Sequence, residues 1–242
     1  MASAKDIIIK PISSQDGNRI IKRLHYSGKV VQNSQLHFGV FLDGKCGGAL
    51  SFGPSLDKRK IMGLVEGTGW NEFIELNRMA LADWMPKNSG SRALSVCMKL
   101  IRKHYPHIKW VVSFADGTQC GHGTQYQAAG FYLTSIKKNG QILDWNGTLI
   151  AKKTLDNINY PKIDGKYYSR VLLETGEAYK ISGYQLRYIY FLDPTAKERL
   201  TVLILPYSKI DEMGARMYKG ISASVVEKHN TTPSSVEVAV RI

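Results

Sequence analysis

Cysteine is scarce in this chain. Cys46, Cys97 and Cys120 are the only three, an odd number with no Cys-x-x-Cys pair among them. Such usage spells out no structural zinc site and fits a reduced, cytosolic compartment. No run of about 18 apolar residues occurs, which excludes a transmembrane helix and a membrane partner. The opening Met1-Ala-Ser-Ala-Lys-Asp6 has no secretory apolar region, and no internal repeat is found. Acidic residues are also short in supply: 20 Asp and Glu stand against 33 Lys and Arg, a formal net charge of +13 over 242 residues.

The basic excess is spread along the chain. Residues 1–134 hold 17 Lys and Arg against 9 Asp and Glu, residues 135–220 hold 14 against 9, and the last 22 residues are balanced. A basic body attracts a polyanion, of which nucleic acid is the commonest in the cytosol. Simple solubility charge is the plainer alternative. The length supports one large domain, or a domain with an extension.

Asp6-Ile-Ile-Ile-Lys-Pro11 reads as a first strand, and Ser13 or Ser14 as the cap of a helix running toward His25. Gln35 to Leu42, the turn Asp43-Gly44 and Cys46 to Phe52 make a hairpin. Lys58-Arg59-Lys60 falls in a polar loop. Phe73 to Leu81 is a strand with Glu75, Asn77 and Arg78 embedded in it; simple alternation puts Glu75 and Asn77 on one face and Arg78 on the other unless a bulge intervenes. Arg92 to Lys103 carries apolar residues at helical spacing, and Pro106 ends it. Ile108 to Phe114 is a strand, followed by a short helix around Tyr126 and a strand from Phe131 to Lys137. Beyond it Asn139-Gly140 and Asn146-Gly147 mark hairpins, and Leu186–Leu192 and Leu200–Leu205 read as strands. Residues 228–235 look like a linker. The expected organisation is a core over 1–138, a β-rich extension over 139–220 packed on it, and a tail over 221–242.

The stretch Trp110-Val-Val-Ser-Phe-Ala-Asp116-Gly, then Tyr126-Gln-Ala-Ala-Gly130-Phe131, is the most informative. It places an acid at a strand's carboxyl end, where open α/β sheets build their sites, and a phenol on the short helix beside it. The element order resembles the GNAT acyltransferase fold, an α/β architecture with a mixed, mostly antiparallel central sheet and flanking helices. Tyr126-x-x-x-Gly130-Phe131 resembles that fold's final helix, whose tyrosine protonates the leaving group. The turn Lys87-Asn88-Ser89-Gly90-Ser91-Arg92 stands where a GNAT binds pyrophosphate at a helix start. Its Arg92 replaces a small residue, a departure that argues against ordinary CoA binding.

His25-Tyr26-Ser27-Gly28, Glu75-Leu-Asn77-Arg78-Met79, Pro86-Lys-Asn-Ser89, Ser113-Phe114-Ala-Asp116-Gly117 and Tyr126-Gln-Ala together resemble the Mom family of phage DNA-modification proteins. The resemblance implies conversion of adenine in duplex DNA to an N6-carbamoylmethyl form that blocks host restriction, in the bacterial cytoplasm during infection. It implies a flipped base, with Asp116 as general base at N6, Tyr126 as acid, and His25 and Tyr26 stacking on or bonding the base. Ser27, Glu75, Ser113 and Phe114 would surround the substrate. Lys58, Arg59 and Lys60 would meet backbone phosphate. Asn77, Arg78, Lys87, Asn88, Ser89, Ser91 and Arg92 would hold the donor.

The product's N–CH2–CO–NH2 unit needs an added nitrogen, which an aminoacyl donor supplies and acetyl-CoA does not. Glycyl-tRNA is therefore the expected donor, making tRNA a second nucleic-acid partner, with acetyl-CoA as the alternative. No metal is expected. Each assignment has a structural alternative: Asp116 as a turn cap, Tyr126 as buried aromatic before a C′ glycine, His25 at a helix end, and Glu75–Arg78 as a fold-shaping pair. The competing functions are a GNAT that acetylates a protein or small amine, and a nucleic-acid-binding module without chemistry.

Overall fold

Asp43 and Gly44, with φ of 50° and 76°, form the two-residue turn that joins the strands flanking them. Positive φ at both positions is what that right-twisted hairpin requires. In the computed structural model, which describes residues 2–157, 159–218 and 221–222, this hairpin sits in a seven-stranded sheet. In chain order the elements are β1 (Ile8–Pro11), α1 (Ser14–Leu24), β2 (Leu36–Leu42), β3 (Lys45–Gly53), α2 (Lys58–Met62), β4 (Phe73–Leu81), α3 (Ser89–His104), β5 (Trp110–Asp116), α4 (Thr124–Ala128), β6 (Tyr132–Lys138), β7 (Ile142–Trp145), β8 (Thr148–Ala151), α5 (Lys152–Leu155), α6 (Tyr168–Thr175), β9 (Ala178–Lys180) and β10 (Tyr184–Phe191). Two single-turn helices, Thr195–Glu198 and Lys209–Glu212, and a two-stranded ribbon, Met217–Tyr218 with Ile221–Ser222, follow.

The main sheet has the order β1-β2-β3-β4-β5-β10-β6. Its pairs are antiparallel except β4 with β5, which run parallel. The protein is thus of the mixed α/β class, with a mostly antiparallel central sheet and flanking helices. Helix α1 begins because the Ser13 hydroxyl accepts the Asp16 N–H at 3.0 Å, a cap that stabilises such a helix by about 1 kcal/mol. Its apolar stripe brings Ile20 and Ile21 onto Ala49 of β3 and Ala80 of β4. On the same sheet face, farther across, Phe73 stacks on Trp110 at 4.6 Å, and Val112, Ile189 and Phe191 join them under Leu64, Val65 and Ala196. The Trp110 indole N–H is satisfied by Thr68 Oγ1 at 3.2 Å.

The chain divides into two units. The first comprises Met1–Asp116, Gly123–Lys137 and Gln185–Tyr207; the second comprises Gly117–His122, Lys138–Tyr184 and Ser208–Ile242. The second contains a three-stranded sheet of order β8-β7-β9. Asn146 and Gly147, again with positive φ, turn β7 into β8. Its small core is Leu143, Leu155, Leu172 and Ala178, with Trp145 set edge-on to Tyr160 and Tyr168.

Several sequence expectations change here. The strand expected within the extension at 186–192 is β10, and it lies between β5 and β6 of the main sheet; alternation fixes a strand but not the sheet it joins. Leu200–Leu205 is no strand, making only single bridges, Val65 with Leu200 and Leu133 with Leu205. Asn139-Gly140 closes no hairpin, because β6 pairs with β10 and the Asn139 side chain instead accepts the Gln141 N–H. Lys58–Lys60 opens a short helix instead of lying in a loop. The expected linker at 228–235 and nearly all of the tail lie outside the described residues.

Candidate active site

A bulge in β4 organises the first half of the site. Ser51 pairs with Arg78 and Phe52 with Leu76, so Asn77 is the extra residue. The bulge resets the alternation. Glu75 is opposite Gly53 and Arg78 opposite Ser51, and positions two apart on β3 share a face. Glu75 and Arg78 therefore project on the α1 side, contrary to the separation that simple alternation gives. Asn77 is buried: its Oδ1 accepts from Ser34 Oγ at 2.9 Å and its Nδ2 donates to Pro54 O at 3.4 Å. Gly53 is required beside it, since a Cβ there would come within 2.6 Å of Asn77 Oδ1 and 2.7 Å of Ser34 Cα. Burial pushes the Glu75 carboxyl up from its ordinary value, against the pull of Ser55, Arg78 and Asn77.

Arg78 ties this strand to the turn after α1. Its Nε donates to Lys29 O at 3.2 Å and its Nη1 to Asn77 O at 2.7 Å. That turn holds His25, Tyr26 and Ser27. Ser27 Oγ lies 2.8 Å from His25 Nδ1, and the Ser27 N–H donates to the same nitrogen at 3.2 Å. The Tyr26 ring, 54% exposed, lies 4.1 Å from the imidazole. Burial, and next the Arg78 guanidinium, push the His25 imidazole down to about 4.

Strands β4 and β5 pair only from Phe73 with Trp110 to Glu75 with Val112. Beyond that point β4 runs on to Leu81 beside β3 and β5 to Asp116 beside β10 without pairing to each other, so the sheet opens as a fork. Asp116 ends β5 on the face of Trp110, Val112 and Phe114, which is the face of Glu75 and Arg78. Ser113 is on the other face, fully buried, with no hydrogen-bond partner for its Oγ.

That other face carries Tyr188, register partner of Ser113. Tyr126 packs on it, ring centroids 5.2 Å apart, and on Phe131 at 5.6 Å. Gln127 Nε2 donates to the Tyr188 hydroxyl at 3.1 Å, and burial raises the Tyr188 phenol well above its ordinary value. Gly123 starts α4 with φ of 89°, and a Cβ there would lie 2.5 Å from the Tyr188 ring. Helix α3 packs beside α4. Between them is a cleft of about 290 Å3 lined by Leu81, Asn88, Ser89, Gly90, Ser91 and Gln125 among others. Asn88 precedes α3 in the left-handed conformation (φ 70°) and caps it with no side chain; the Ser89 N–H goes to Pro86 O at 3.1 Å, which leaves the Gly90 and Ser91 N–H groups for another acceptor. The buried Ser89 Oγ also has no partner.

The candidates thus fall into groups. His25, Tyr26, Ser27, Glu75, Arg78 and Asp116 belong to the α1 side of the fork, with Phe114 on the same strand face. Ser113 and Tyr126 belong to the other side, where Ser89 and Ser91 line the cleft. Lys87 and Arg92 are exposed and outside the cleft lining. Lys58 lies over Trp70 at 4.2 Å and near Phe73 and Ile108, at the amino ends of β4 and β5. Seven residues of β5, about 20 Å, separate that end from Asp116, so Lys58, Arg59 and Lys60 are not brought to the fork. Sequence reasoning missed Ser34, Ser55, Gln127 and Tyr188. Gln127 stood inside the Tyr126-Gln-Ala motif without being assigned a role, and Tyr188 sat in a patterned strand whose sheet was unknown. Among the described residues no group of His, Cys, Asp or Glu is disposed to hold a metal, and no helix is long and apolar enough to cross a membrane.

Comparison with known proteins adds the following. The model of the Mom protein family matches residues 6–209. The methylcarbamoylase Mom of Escherichia phage Mu is 37% identical over 211 residues, covering 85% of each chain. Among solved structures, the ribosomal-protein-S18-alanine N-acetyltransferase of Escherichia coli overlaps with a TM-score of 0.42 at 12% identity, covering 77% of this chain and 94% of that one. A spermidine/spermine N-acetyltransferase from Vibrio cholerae gives 0.44 at 9% identity, covering 81% and 99%.

Proposed function

The chain belongs to the Mom protein family, and from that premise we propose that it is an enzyme converting adenine in double-stranded DNA to an N6-carbamoylmethyl form, protecting phage DNA from restriction in the host cytoplasm. The observation that carries the reading is the fork between β4 and β5, with Asp116 on one face of its wall and Tyr126 packed on the other. An acyl carbonyl placed in the fork would meet a nucleophile and its base from one side and shed its leaving group toward an acid on the other.

The acceptor amine is a poor nucleophile because its lone pair is delocalised into the purine, and the base must leave the stack at a cost of a few kcal/mol. Asp116 accepts the N6 proton as N6 attacks the carbonyl of a glycyl ester. Tyr126 protonates the departing ribose hydroxyl of glycyl-tRNA. The product at this stage is N6-glycyladenine. Its free amine then attacks C6 through a five-membered ring, the original C6–N6 bond breaks, and the former N6 becomes the terminal amide. Atoms balance without a further reactant. The Gly90 and Ser91 N–H groups at the start of α3 and the Ser89 hydroxyl are suited to a donor phosphate. Lys58, Arg59 and Lys60 serve DNA backbone away from the fork, and tRNA is the second polyanion that the charge of +13 suits.

Acetyl-CoA is the alternative donor. It gains from one observation: Arg92, whose bulk argued against a pyrophosphate, does not line the cleft. The test is incubation of the protein with adenine-containing duplex DNA and either glycyl-tRNA or acetyl-CoA, followed by mass spectrometry of the nucleosides. Carbamoylmethyladenine formed only with glycyl-tRNA supports the scheme. Unmodified adenine with both donors rejects the function, and modification by acetyl-CoA alone rejects the donor.

A further inference from the structure

We infer that His25 is a fixed hydrogen-bond donor, neutral with its proton on Nε2, presented to a lone-pair nitrogen of the extruded base, and that Ser27 is the positioning residue that sets this tautomer. The inference rests on the adenine-modification reading for the identity of the ligand, but the tautomer itself follows from geometry alone.

A backbone N–H can only donate. The Ser27 N–H reaches His25 Nδ1 at 3.2 Å, so Nδ1 must offer a lone pair there. The Ser27 hydroxyl is the second group on Nδ1, at 2.8 Å, and its oxygen accepts the Lys29 N–H at 3.3 Å. Because Nδ1 already accepts the Ser27 N–H, the hydroxyl is the donor in this second contact, its oxygen remaining free to accept from Lys29, and the contacts agree. A neutral imidazole accepting at Nδ1 carries its proton on Nε2. Nε2 has no partner among the described residues.

The surroundings hold this state. The charged group acting on the ring from the adjoining strand is Arg78, which repels a second proton, and Glu75 on the same strand face is itself pushed toward its neutral form. The Tyr26 phenol, from the ring's own turn, lies tilted against it at 34°. A group so placed does not serve as the general base. It complements Asp116 on the same sheet face, one accepting the amino hydrogen of the base and the other donating to a ring nitrogen. That combination suits an aminopurine and disfavours a base presenting a carbonyl and ring N–H at the corresponding positions.

Two measurements test this. Nitrogen-15 NMR of histidine-labelled full-length protein, with the His25 signals assigned by their loss in His25→Gln, is expected to show Nδ1 unprotonated and Nε2 protonated from about pH 8 to about pH 5. Ser27→Ala is expected to raise the population of the other tautomer. A proton on Nδ1, or titration of His25 near pH 6.5, overturns the inference. In the modification assay, His25→Ala is expected to lose about 10²-fold in rate and His25→Gln, which keeps an N–H near the Nε2 position, to recover about tenfold of it. Equal loss in both variants overturns the donor role. If the NMR result is as expected and the wild-type protein modifies no adenine, the function fails while the tautomer stands.

Discussion

The Ser34 hydroxyl donates to Asn77 Oδ1 at 2.9 Å, binding the loop before β2 to the bulged residue of β4. The same Asn77 reaches Pro54 O through its Nδ2. These two bonds make Asn77 a structural link between that loop, the end of β3 and the bulge. The bulge that it occupies decides that Glu75 and Arg78 share a face, and so decides which side of the fork carries charge.

Asn77→Ala is therefore expected to destabilise the fold by about 1–3 kcal/mol, the cost of leaving buried partners unpaired. Gly53→Ala is expected to do likewise, through the approach of its Cβ to Asn77 and Ser34. Urea unfolding with an unchanged m-value checks both. A neutral Asn77→Ala would return the residue to the donor-binding group.

Stability should depend on pH through two groups of opposite sign. His25 has a folded value of about 4 against an ordinary 6.5. Between these values the unfolded chain takes up a proton that the folded chain refuses. Its stabilising contribution is complete above 6.5 and is lost as pH falls toward 4, by about 2 kcal/mol after allowing for solvent screening. Glu75 is raised from 4.5, so its contribution is complete below 4.5 and is lost as pH rises through the folded value. His25→Gln should flatten the acid limb of a thermal-unfolding profile, and Glu75→Gln should raise the neutral limb. A profile unmoved by both would contradict these environments.

Asp116→Asn and Tyr126→Phe are expected to reduce adenine modification by about 10²-fold or more each, with little change in DNA affinity. Single-turnover rates and a separate binding titration distinguish the effects. Wild-type rates in either variant would remove that residue from the proposed chemistry.

Tyr188→Phe should cost about 1 kcal/mol by leaving the Gln127 amide without its acceptor. It should lower the turnover rate more than it changes DNA affinity, because the Tyr188 hydroxyl holds Gln127, the neighbour of Tyr126 on α4. An equal loss of binding and turnover would argue that it acts only on the fold.

Replacing Lys58, Arg59 and Lys60 by Ala should weaken DNA binding and reduce the log–log salt slope by about 0.9 for each phosphate no longer neutralised. Turnover at saturating DNA should remain, because these residues lie at the far end of β5. An unchanged salt slope would mean that these charges are simply solvated.

The chain itself settles what depends on neighbours a few residues away. Asp43-Gly44 and Asn146-Gly147 dictate tight turns through positive φ, Ser13 starts α1, and Gly130 (φ 83°) lets the chain leave α4 one turn after Tyr126. For the same reason Asp116 is legible as the end of an apolar strand. Short-range chemistry does not say which strands meet. The Asn77 bulge exists only against β3, the fork only because β4 and β5 stop pairing after Glu75 and Val112, and Tyr188 supports Tyr126 only because β10 enters the main sheet beside β5. These are long-range pairings, set by how faces pack across the whole sheet, and a period-two pattern is the same for every partner that a strand might take.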